Sequence, residues 1–116
     1  AMNPISMITR GSLKDITENE TTREFARNVM LEAETVATTL GVKMQVTVDQ
    51  RLEGANSVGD HKTSMLQDYE QGRPIELESI IGSVVELADI LHIQVPNIKT
   101  LYGISKMLAI KSGIYK

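Results

Sequence analysis

A chain of 116 residues, 41% of them apolar, can bury the core of one domain and is short for a two-domain enzyme. Twelve basic and fifteen acidic residues give a net charge of −3, with one Phe, three Tyr and no Trp, so nucleic acid is not an expected partner. No cysteine means no disulfide or thiolate metal site and fits a reducing compartment; with no signal peptide or membrane-length apolar run, the expectation is a cytoplasmic protein off the membrane.

The core must be filled from Leu, Ile, Val, Ala and Met, which suits helices packed on helices. Ala1 before Met2 reads as a cloning remnant and stays outside the fold reasoning. The first segment, Asn3-Pro-Ile-Ser-Met-Ile-Thr, ends near Gly11. Pro4 is tolerated in a first helical turn and poor in a helix interior, so this is either a helix start or the cut end of a longer, kinked helix. Ser12 to Ile16 has room for one short turn. Thr21 and Glu24 then have capping-box spacing, and Phe25, Val29, Ala33, Val36 and Leu40 recur on one face. That pattern predicts a helix over about 22–40, stopped by Gly41. Residues 42–48 alternate apolar and polar as a strand would. With no second strand to pair, an extended connection into a helix around Asp49 to Ser57 is expected.

The stretch around which the rest is organised is His61 to Glu76, HKTSMLQDYEQGRPIE. Asp60 can cap a helix whose first turn holds Ser64; Met65, Leu66 and Tyr69 give that helix an apolar side, and Gly72 with Pro74 stops it. Glu76 opens the next apolar helix, where a carboxylate suits the helix dipole. A hydroxyl and a carboxylate thus stand near opposite ends of one short helix and its turn, separated by roughly 11 to 12 Å at 1.5 Å per residue. They are too far apart to pair but suited to holding different parts of one extended ligand. Spacing alone does not establish a site.

Ile80, Ile81, Val84, Val85, Leu87, Ala88 and Leu91 follow as a wide apolar stripe, which predicts a helix in the middle of the domain. Each large aliphatic side chain buried there contributes ~1.5 to 3 kcal/mol. His92 to Pro96 ends that helix, and Ile98, Leu101, Ile104 or Ser105, and Leu108 mark a last one fraying near Gly113. The expected fold is all-α, a compact bundle of five to six helices forming a single domain over 1–116.

Taken singly, the polar residues have plain roles. Ser64 can bond a nearby backbone group, Glu76 can complement a helix dipole, and Asn3 can serve as a turn or cap residue. His61 would sit exposed at a helix start, and Arg73 in an exposed turn. His61, His92 and the scattered carboxylates show no metal-ligand spacing, so no metal site is expected.

Three blocks together nevertheless resemble the C-terminal helical domain of ketopantoate reductase (2-dehydropantoate 2-reductase). They are Asn3 to Thr9; Ser64-Met-Leu-Gln-Asp68 with Gly72-Arg73, Glu76 and Gly82-Ser-Val-Val85; and Val95-Pro96 followed by a Leu101-Tyr102 helix. The resemblance implies an all-α domain like the C-terminal helical domain of 6-phosphogluconate-dehydrogenase-like reductases. It implies an oxidoreductase that reduces the ketone of 2-dehydropantoate to pantoate with NADPH, in pantothenate biosynthesis, with the cofactor carried by an N-terminal dinucleotide-binding Rossmann domain. On this resemblance Asn3 hydrogen-bonds the substrate, Ser64 binds its polar end, and Glu76 orients substrate and cofactor. His61 stands where many members carry a substrate-binding asparagine. The family's general-acid lysine and a second contacting asparagine would fall upstream of residue 1, and no strand followed by Gly-x-Gly-x-x-Gly occurs. No catalytic residue is therefore expected in this chain, no NADPH binding by it alone, and no turnover without the other domain. Apolar surface left where that domain would dock makes a homodimer an expectation. The alternative is a non-enzymatic helical dimerisation or protein-interaction module derived from the same domain.

Overall fold

Most helices here begin where a side chain takes up the first free N–H groups. In the computed structural model, which describes residues 1–115, Ser12 caps α2 (Leu13–Glu18) and Asn19 caps α3 (Glu20–Thr39), each accepting from a main-chain N–H of the first turn. Thr47 does the same for α4 (Val48–Val58) and Thr63 for α5 (Ser64–Glu70). The chain opens on α1 (Met2–Thr9) and closes with α6 (Ser83–Ile90) and α7 (Pro96–Lys111). A π-helical turn, Glu78–Gly82, runs directly into α6.

Several boundaries differ from the sequence expectation for local reasons. The long helix starts at Glu20 because Asn19, not the Thr21/Glu24 pair, supplies its cap. Asp60 does not cap α5; Thr63 does, and Asp60 accepts from the Ser12 hydroxyl at 3.3 Å instead. Helix count among the described residues is seven rather than five or six. Arg10 in the left-handed region (φ 62°) breaks α1 from α2, and Ser12 then starts a helix of its own. Residues 42–47 are an exposed connection, as expected, and the one sheet-like feature described is an isolated parallel bridge between Ile75 and Tyr115.

α1 packs on α5 and α7, α2 on α3 and α4, and α3 on α4 and α7. Met7, Ile16, Leu52, Leu66, Leu77 and Ile98 fill the centre with 2% exposure or less. The wide stripe of Ile80 to Leu91 does not occupy the middle. Of α6 only Ala88 is buried, and Ile80, Leu87 and Ile90 are 43%, 37% and 64% exposed. That element lies at an edge, with part of its apolar surface uncovered by anything in this chain.

Candidate functional site

The site is built from the two ends of α5. At its start, the Leu66 N–H donates to the Thr63 hydroxyl at 3.2 Å, and that buried hydroxyl is paired with Ser6 of α1. Ser6 donates to the Asn3 carbonyl at 2.8 Å, so in the Ser6–Thr63 pair the proton comes from Thr63. A directed chain of hydrogen bonds thus fastens the start of α5 to the first turn of α1, leaving Ser64 exposed in the first position of its helix.

At its other end, α5 stops at Gly72, whose φ of +70° suits glycine. Arg73 closes the turn, its main-chain N–H on the Asp68 carbonyl and its Nε on Asp68 Oδ1, both at 2.9 Å. After Pro74 the buried Ile75 donates its N–H to the Ile114 carbonyl at 2.9 Å, which fixes the direction in which the chain leaves the turn. The outcome is an open pocket of 260 Å³ whose polar walls are Ser64, Asp68 and Glu76 and whose apolar walls are Met65, Pro74, Ile75 and Ile80.

Of the residues singled out from sequence, Ser64 and Glu76 thus meet in one pocket. Asn3 does not line it: it is half-buried in α1, where its carbonyl serves the Ser6 hydroxyl. His61 does not line it either; it is exposed in the α4–α5 connection and its carbonyl accepts from the Leu13 N–H at 3.4 Å. Asp68 is the residue that sequence reasoning passed over. The signal was present, because positions four apart on a helix share a face and Ser64 and Asp68 are so spaced.

Chemically this wall offers one hydroxyl, which can donate or accept, and two carboxylates, which accept. No lysine or histidine lines it. Among the described residues no group of three or more His, Cys, Asp or Glu could hold a metal ion, and no helix is long and apolar enough to cross a membrane. A second concavity of 360 Å³ between α1, α3 and α7 is lined by Ile5, Ile8, Phe25, Leu101, Ile104 and four threonines, with no charged group to direct chemistry.

Comparison with known proteins bears on the same residues. Residues 1–109 match the family described as ketopantoate reductase PanE/ApbA C terminal. A 2-dehydropantoate 2-reductase of Mesorhizobium japonicum is 42% identical over 115 residues, covering 99% of this chain and 35% of that protein. One from Pyrococcus abyssi is 30% identical over 107 residues, covering 91% of this chain and 36% of that protein. The crystal structure of 2-dehydropantoate 2-reductase from Methylococcus capsulatus superposes with a TM-score of 0.89 at 29% identity, over 97% of this chain and 36% of the other. The chain therefore spans about a third of the length of the curated relatives it matches. With the family model covering nearly all of its residues, the chain belongs to the ketopantoate reductase C-terminal domain family.

Proposed function

We propose that this chain is the substrate-side domain of an NADPH-dependent oxidoreductase of the 2-dehydropantoate 2-reductase type, which would reduce the ketone of 2-dehydropantoate to pantoate in the cytoplasm. The observation that carries the reading is the convergence of Ser64 and Glu76, with Asp68, on one pocket half lined by aliphatic groups. Such a wall suits a small hydroxylated acid with a branched carbon skeleton. Its carboxylates can accept from hydroxyl groups, so the keto acid would bind with its hydroxyl end toward Asp68 and Glu76. The Ser64 hydroxyl would then orient the ligand from the start of α5, and Asn3 and His61 would approach only if the ligand extends past the pocket rim. These residues position; they do not transfer a proton.

Among the described residues no strand leads through a glycine-rich turn into a helix, the arrangement that cradles the pyrophosphate of a dinucleotide in a Rossmann domain. NADPH, which would supply the hydride, belongs in this reading to an N-terminal Rossmann domain, and Glu76 would meet it from the substrate side. Ile80, which lines the pocket, and Leu87 and Ile90 of α6 are exposed and would give that domain an apolar surface to close on. A homodimer is also part of the proposal. On α7, Ile104, Met107 and Ile110 are 52%, 66% and 52% exposed along one face, which favours a further protein contact under this reading or under that of a non-enzymatic interaction module.

The test is NADPH oxidation by the two-domain polypeptide carrying this domain, with 2-dehydropantoate and a panel of other 2-keto acids. Ser64→Ala and Glu76→Ala should each lower kcat/KM by roughly 10- to 100-fold, the loss of a hydrogen bond involving a charged group. No oxidation with any 2-keto acid, or both variants within twofold of the parent, would reject the reading in favour of the interaction module.

A further inference from the structure

Between Glu76 and α6 the main chain makes a turn with one residue too many. The Ser83 N–H reaches back to the Glu78 carbonyl, an i to i+5 bond, where a regular helix would use residue 79. Each residue of a helix turns the chain by about 100°. The extra residue therefore decides which way Ile80 faces relative to Glu76, and both are walls of the pocket.

Side chains from elsewhere hold this turn. The Tyr102 hydroxyl of α7 donates to the Glu78 carboxylate, 2.8 Å from Oε2 and in contact with Oε1 as well. That carboxylate lies over Gly82, where a Cβ would stand 2.7 Å from Oε2. Gly82 has ordinary helical angles, so a side chain there would meet no backbone strain but would have to displace the Glu78 carboxylate. One turn beyond Tyr102, Lys106 places Nζ 5.6 Å from the centre of the Tyr102 ring and 5.4 Å from that of Tyr115. Tyr115 is in turn the bridge partner of Ile75, next to Glu76. The segment that carries Glu76 is thus pinned on both sides by the C-terminal helix and its tail.

We propose that the Tyr102–Glu78 hydrogen bond, seated on Gly82 and backed by Lys106, is a positioning device that fixes the register of the π turn and so aims Glu76 and Ile80 at the pocket opposite Ser64. The inference rests on the functional reading above for what the pocket binds, but not for the geometry it predicts. Tyr102 and Glu78 touch no ligand; they act through the turn.

Two measurements on Tyr102→Phe, Gly82→Ala and the conservative Glu78→Gln, which keeps an acceptor for the tyrosine hydroxyl, test it. In this chain, backbone amide spectra of Tyr102→Phe and Gly82→Ala should shift residues 76–83 while leaving α2 and α4 unmoved, and Glu78→Gln should stay close to the parent. In the two-domain polypeptide, Tyr102→Phe and Gly82→Ala should raise KM for 2-dehydropantoate about tenfold, with Glu78→Gln within about threefold. A brace that only stabilises the fold would lower the thermal midpoint and leave KM of the folded variant unchanged, and that result overturns the proposal. Unmoved amides at 76–83 in Tyr102→Phe overturn it as well, whether or not the parent oxidises NADPH; should Gly82→Ala fail to fold, Tyr102→Phe alone decides. A parent without activity but with shifted amides would reject the substrate reading and keep the device.

Discussion

The start of α7 depends on a side chain that is distant in sequence. Val95 precedes Pro96 and has no oxygen to offer as a cap, so the first N–H groups of α7 need an acceptor from another element. Glu32 of α3 supplies it. Its Oε2 accepts from the Asn97 N–H at 3.1 Å and from Asn97 Nδ2 at 2.7 Å, and its Oε1 accepts from the Ile98 N–H at 2.9 Å. Removing a cap costs ~1 kcal/mol, and losing a negative charge from a partly buried helix N-terminus costs about 1 to 2 more. Glu32→Ala should therefore destabilise the chain by roughly 2 to 3 kcal/mol, the upper end being limited because Glu32 is half-exposed and water can reach the vacated groups. Denaturant unfolding followed by circular dichroism reads this directly, and it corresponds to a fall in Tm of about 8 to 12 °C for a domain of this size. Glu32→Gln keeps one acceptor and should lose about half as much. A cost below about 0.5 kcal/mol for Glu32→Ala would refute the reasoning. So would equal costs for Gln and Ala, because the carboxylate would then not be acting as the cap.

Two further outcomes follow from the buried and ring-bound hydroxyl groups. Ser6→Ala removes the middle of the chain that runs from Leu66 through Thr63 to Asn3, leaving a buried hydroxyl and a carbonyl without their partner, and should cost about 1 to 3 kcal/mol; adding Thr63→Val should cost less than the sum of the two single changes in urea unfolding, and strict additivity would contradict a shared network. Tyr69 should ionise before Tyr102 in an absorbance titration at alkaline pH. Tyr69 goes below its ordinary value of 10.0 because Ser112 and then Arg10 donate to its oxygen, while Tyr102 goes above it because the Glu78 carboxylate accepts its proton. Tyr69→Phe should delete the earlier of these two steps and Tyr102→Phe the later. The two act oppositely on stability: the Tyr102 contribution is complete below pH 10 and falls as pH rises through its raised value, and that of Tyr69 is present above pH 10 and falls as pH drops through its lowered one.

Local pattern revealed local structure and little else. The single apolar face of α3 and the presence of a short helix carrying Ser64 could be read from spacing, because period and turn chemistry are properties of neighbouring residues. Asp60 was the wrong cap because the N-cap must sit directly before the first turn, and Thr63 does. The stripe from Ile80 to Leu91 announced surface that needs covering, but a stripe does not say whether the same chain covers it; here Ile80, Leu87 and Ile90 stay exposed. The meeting of Ser64 with Glu76 was not readable from the residues between them. It depends on the hydrogen bond from Ile75 to Ile114, from the other end of the chain. The π turn was hidden for the same reason: Tyr102 of α7 braces it, and no local period announces an extra residue.

The charges around the pocket decide what this domain can contribute to binding. Two cations beside α5 are engaged in ion pairs, Arg73 on Asp68 and Lys62 on Glu70, each at 2.9 Å, and a third, Arg10, lies over the Tyr69 ring. Asp68 stands in the wall already paired with Arg73, beside Glu76 and the neutral Ser64 hydroxyl. No cation lines this pocket, so in the proposed function the charge that attracts a keto-acid anion would come from outside this wall. The lysine that the family resemblance places upstream of residue 1 has that charge. In this reading the pocket supplies orientation and selectivity for the hydroxylated end, the family's lysine on the first helix of the same helical domain supplies the proton, the dinucleotide-binding domain brings the hydride, and substrate is held where the three face each other.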